Sequence, residues 1–129
     1  MKLHATRGQS LVEFALVVPI LLLLLLGLVE LGRAWMTKNI MTGAAREAAR
    51  IYVVPDGGEA AARARAAEIL SSGGIIMSPA TDCVSFIDNG AYSICTATVT
   101  HQFHAIFGGF IPGLDNATLV STTSMRMEH

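Results

Sequence analysis

The sequence is short of charge, of cysteine and of any repeated unit. Charged residues make up 15% of its 129 positions and the formal net charge is −1. Without a basic excess, nothing points to a nucleic-acid partner. Two cysteines, Cys83 and Cys95, are too few for a structural zinc site, which needs four ligands in close pairs, and they do not form a CxxC motif. His101 and His104 add no metal site, because strand positions three apart face opposite sides. No serine stands with a paired histidine and acid, and no glycine-rich phosphate loop follows a strand. The expectation is a non-enzyme that uses no cofactor and no metal. A chain of this length holds one small domain and one membrane segment, with no room for a second core.

What the chain does have is a long apolar run. The hydrophobic share of 52% is raised by the stretch around Leu21 to Leu26. From Leu11 to Leu31 the segment is long enough to cross a bilayer, which takes roughly 20 residues at about 1.5 Å each. A cleaved secretory signal has an apolar region of about 7–15 residues ending at a small-x-small site. Here the run is longer and continues into Gly32-Arg33-Ala34-Trp35 and further helix formers. Glu13 sits near its start, where a carboxylate costs up to about 2.5–3.5 kcal/mol if carried to the bilayer centre. Such a residue needs a partner or a task.

Beyond the run, Ile40, Ala44, Ala45, Ala48, Ile51 and Tyr52 recur at three- and four-residue steps, an amphipathic helical stripe. The stripe fits packing against the chain's own sheet and close approach of neighbouring helices equally well. A continuous helix from about Ser10 to Tyr52 has a length of roughly 65 Å. The hydrocarbon core needs only about 30 Å of it. Pro19, Gly27, Gly32 and Gly43 are its weak points, and Pro55-Asp56-Gly57-Gly58 stops it. An alanine-rich helix follows from about Glu59 to Leu70, closed by Ser71-Ser72-Gly73-Gly74. Two strand-like runs, DCVSFID and AYSICTATVTHQF, flank Asn89-Gly90. A glycine-rich loop from Phe107 to Gly113 leads to a third, ATLVSTTSMRM, with Leu119, Thr123, Met125 and Met127 on one face. The fold class expected is α+β, with a long N-terminal transmembrane helix, a short second helix and a three-stranded antiparallel sheet.

The cysteines flank the hairpin, and a disulfide between Cys83 and Cys95 is the expected pairing, worth about 3 kcal/mol. A two-residue Asn89-Gly90 turn would put them on opposite faces. A three-residue loop, Asp88-Asn89-Gly90, pairs Ile87 with Ala91 and sets Cys83 opposite Cys95, with Gly90 at positive φ. Such a bridge also argues for an oxidising compartment on that side of the membrane. Charge alone leaves the orientation ambiguous. Lys2 and Arg7 favour a cytoplasmic N-terminus, yet Arg33, Lys38, Arg46 and Arg50 lie close on the other side.

A short basic leader, then Gly8-Gln9, then Glu13 as the fifth residue after the glycine, is the arrangement of class III and type IV prepilins. With Leu11, Val12 and Phe14, the segment resembles the TadE-like family of tight-adherence (Tad/Flp) pilus proteins. Glu30-Leu31-Gly32-Arg33, the run Ala44 to Arg50 and the closing Ser-Met-Arg-Met-Glu are also similar to that family. Gln9 departs from the pattern, standing where many type IV pilins carry Phe or Met. The resemblance implies a pilin-like layout: residues 1–8 a prepilin leader, 9–54 the long helix with its span at about 11–31, and 55–129 a small external domain. It implies a minor pilin or pseudopilin, cut after Gly8 by a prepilin peptidase, with Glu13 serving assembly of a Tad-type pilus for adhesion. The major Flp pilins of such systems are shorter and have no domain like residues 55–129. Its partners are then the peptidase, other pilin subunits, the Tad machinery and the membrane. Its place is the bacterial cytoplasmic membrane, single-pass, with the N-terminus cytoplasmic and the C-terminal domain external, or the extracellular pilus itself. Asn116-Ala117-Thr118 spells an N-glycosylation sequon that carries little weight in a bacterial protein. A second reading stays open: a single-pass anchored protein whose external domain binds a ligand or partner.

Overall fold

A computed structural model describes residues 5–77, 83–89, 94–110 and 116–126. Helix α1 runs from Ala5 to Tyr52, helix α2 from Glu59 to Ser72, and strands β1, β2 and β3 span Cys83–Asn89, Ile94–Phe103 and Ala117–Arg126. The strands form one antiparallel sheet in the order β1-β2-β3. This is the expected α+β layout. The backbone divides into two compact units, Met1–Arg33 and Ala34–His129.

The first unit holds the apolar part of α1. The helix starts at Ala5, ahead of the start near Ser10 expected from the sequence. Once a helix is nucleated, each added residue gains a hydrogen bond, and only Gly8 opposes that extension here. Residues 1–4 lie outside the described residues. Pro19 lies inside the helix, and Gly32 and Gly43 do not interrupt it.

The second unit packs the rest of α1 against α2 and the sheet. Met41, Ala44, Ala45 and Ala48 of α1 share a core with Ala62, Ala66 and Leu70 of α2, Ile75, Val84 of β1 and Val99 of β2. The alanine stripe is therefore occupied within its own domain. Tyr52 stacks on Phe86 of β1 at 4.9 Å between ring centroids, and the guanidinium of Arg63 lies 5.9 Å from the same ring. On the far side, Thr42 of α1 hydrogen-bonds the buried hydroxyl of Ser121 in β3 at 2.8 Å. The ammonium of Lys38 donates to the carbonyl of Val120.

Helix α1 ends where Val54 precedes Pro55, since the proline ring disfavours helical geometry in the residue before it. The chain then turns tightly through Gly57, whose N–H donates to the Val54 carbonyl at 2.8 Å. A Cβ there would lie 1.8 Å from the carbonyl oxygen of Ile51. Gly58, at φ 114°, leads into α2.

The hairpin register overturns the expected disulfide. Cys83 pairs with Thr100, and Cys95 pairs with Asp88 on one side and Met125 on the other. The two cysteines are thus five positions apart along the ladder, an odd number that puts them on opposite faces. Cys95 is a buried free thiol. Asn89 lies within β1, opposite Ile94, so the expected three-residue loop does not form; Gly90 and Ala91 lie outside the described residues. The physical reason lies in what each register would bury. Pairing Cys83 with Cys95 would turn Ser85 and Ile87 inward. The observed register instead turns Val84 and Phe86 inward, opposite Val99 and Ala97, and leaves Ile87 exposed.

Candidate functional site

The candidate leader junction lies on the first turns of α1. Gly8, Gln9 and Glu13 are all exposed there. A Cβ built on Gly8 meets nothing within 4 Å. Among the described residues nothing therefore requires glycine at position 8, although a helical glycine costs about 0.5–1 kcal/mol relative to alanine. Gln9 and Glu13 are one helical turn apart, and the Gln9 amide donates to the Glu13 carboxylate at 3.3 Å. That is a long contact between exposed groups, so it holds the carboxylate weakly. The sequence-derived residues Gly8, Gln9 and Glu13 thus share one short stretch of helix surface.

Around Glu13 the surface is apolar. Leu11, Val12, Phe14, Leu16 and Val17 are all more than half exposed. The helix is long and apolar enough to cross a membrane, and its most hydrophobic window is not buried anywhere in the structure. A core helix of a water-soluble domain would bury that surface. No charged residue stands between Glu13 and Glu30. Seventeen residue steps place these two carboxylates about 26 Å apart along the axis, close to the roughly 30 Å of a hydrocarbon core. Glu30 is only 3% exposed and receives a 2.8 Å contact from the Arg33 guanidinium, one turn on. Burial of the carboxylate makes this pair more consequential than an exposed one, since an uncompensated buried charge is strongly destabilising.

The strand register keeps Cys83 and Cys95 from pairing with each other. The Cys95 thiol is pushed above its ordinary 9.0, first by burial and then by Asp88. Tyr52 is likewise held above 10.0, first by burial, then by Asp88, Cys95 and Glu59. His101 lies within β2 and His104 just beyond its end, with no cluster of metal-ligating side chains among the described residues. The contacts that hold α1 to the sheet, Lys38 to Val120 and Thr42 to Ser121, had no signal in the sequence, because each joins positions far apart in the chain.

No curated protein and no solved structure matches this chain. Residues 8–50, which carry the Gly8 junction, Glu13, the apolar run and the alanine stripe, match the model of the TadE-like protein family.

Proposed function

We propose that this chain is a TadE-like minor pilin or pseudopilin, made as a prepilin and cut between Gly8 and Gln9 by a prepilin peptidase. The observation that carries the reading is the family match over residues 8–50, on a helix whose apolar surface is open from Gly8 onward. The match supports a Tad pilus-associated protein with a single N-terminal membrane helix. The finer assignment rests on the junction. A glycine with no steric role in its own fold suits an enzyme that must accommodate a small side chain at the scissile bond. Cleavage frees the amine of Gln9, which titrates near 8 and is largely cationic at neutral pH. Glu13 then supplies a carboxylate for such an amine on a neighbouring subunit, and burial of that pair sets register rather than adding stability. The leader stays cytoplasmic and the C-terminal domain external.

Substitution at both positions tests the reading. Gly8→Leu leaves the fold unchanged, because the side chain points into open space, and blocks processing. Glu13→Val makes the span more apolar, so membrane insertion persists, while pilus number falls. Normal pilus numbers with Glu13→Val would show that this carboxylate has another role.

A further inference from the structure

We propose that the second unit carries a peptide-binding groove for an extended, acidic and apolar segment of a partner protein, with Arg50 and Arg126 as its carboxylate-recognising groups. These residues lie in the second unit, and binding there does not depend on cleavage at Gly8.

Three depressions adjoin where α1 ends beside the end of the sheet. The central one, of about 330 Å³, is lined by Arg50, Val53, Val54, Pro55, Met125 and Arg126. It shares Arg50 and Val54 with a depression of about 260 Å³ on the α2 side. It shares Met125 and Arg126 with another of about 410 Å³ reaching Ile94 and Ser124. The three depressions adjoin through these shared residues, with Arg50 at one junction and Arg126 at the other.

The charges in this groove are unequal. Arg50 has one contact to Glu47, at 3.9 Å, too long for a hydrogen bond, and its side chain is 72% exposed. Among the described residues Arg126 takes part in no ion pair. Among the described residues Asp56 is the one acid lining these depressions, and it lies toward the α2 end. Two planar guanidiniums present forked donors that match a carboxylate. An inorganic anion would use the arginines and leave Val53, Val54, Pro55 and Met125 in water. An extended peptide with a carboxylate between apolar side chains satisfies both surfaces. The partner's carboxylate comes from an Asp or Glu side chain or from a chain terminus, and the chemistry recognised is the same.

Fluorescence anisotropy on the full chain in detergent micelles tests this with short labelled peptides that alternate Glu with Val and Leu. Three peptides separate the sources: one with Glu and an amidated terminus, one with Gln for Glu and a free terminus, and one with both groups neutral. At least one carboxylate-bearing peptide binds, the neutral one does not, and binding weakens as salt rises. Arg126→Gln, at the end of an edge strand, lowers affinity about tenfold, as expected for loss of one charge-assisted contact. Arg50→Gln does the same, and Arg46→Gln leaves affinity unchanged. Equal binding of the neutral peptide, no binding of any peptide, or an equal loss with Arg46→Gln would overturn the proposal. Unchanged affinity in Arg126→Gln would overturn it as well, even if Arg50→Gln did not fold.

Discussion

At the scale of single residues, two glycines predict opposite effects. Gly57 sits where any Cβ would collide with the Ile51 carbonyl, and backbone cannot yield as a flexible side chain can. Gly57→Ala is expected to destabilise the second unit by about 1–3 kcal/mol. Gly43 lies inside α1, exposed, with nothing within 4 Å of a built Cβ. Gly43→Ala should therefore stabilise by about 0.5–1 kcal/mol. Urea unfolding of the two variants in the same micelles reads both signs. Cys95 gives a third residue-level test. Buried and unbridged, it should resist alkylation in the folded chain and react on unfolding. Because burial holds the Cys95 thiol above 9.0 and Tyr52 above 10.0, both groups keep their protons longer in the folded state. The stability they contribute is fully present below the ordinary values and is lost as pH rises through the folded ones. The urea midpoint should be flat from about pH 7 to 8.5 and fall beyond about pH 9. A midpoint unchanged at about pH 10.5 would contradict this.

At the scale of elements, helix and strand existence was legible and strand register was not. The period of three and four from Ile40 to Tyr52 marked the helical core face, and Pro55 marked its end, because both signals are local. The start of α1 was less legible, since residues 5–8 hold no strong breaker and the helix propagates through them. The hairpin misled for a physical reason. Asn89-Gly90 is a turn signal by composition, yet register follows the faces that can be buried, and Val84 and Phe86 outcompete Ser85 and Ile87. Val84 joins the shared core and Phe86 stacks on Tyr52 in the observed register. The tie between α1 and β3 predicts a coupling. Ser121 is 4% exposed and hydrogen-bonds Thr42. Thr42→Val leaves a buried hydroxyl unpaired and should cost about 1–3 kcal/mol. Adding Ser121→Ala should recover much of that loss, so the double variant is more stable than the single one. Strict additivity in this cycle would show that the two hydroxyls are not coupled.

At the scale of the whole molecule, the chain joins a helix segment with an open apolar surface to a domain with a closed core. The candidate junction was fully legible in the sequence, because Gly8, Gln9 and Glu13 lie within one short segment and need no tertiary information. The Arg50 and Arg126 groove was not, because only folding brings those positions to one surface. The alanine stripe, open to two uses in the sequence, is settled by the core that Ala44, Ala45 and Ala48 share with α2. The most direct test of the central claim is the intact mass and N-terminal sequence of the protein recovered from membranes of cells with an active prepilin peptidase. The account predicts a chain that begins at Gln9, and recovery of the full chain from cells without the peptidase. A chain that retains residues 1–8 when the peptidase is active would contradict it.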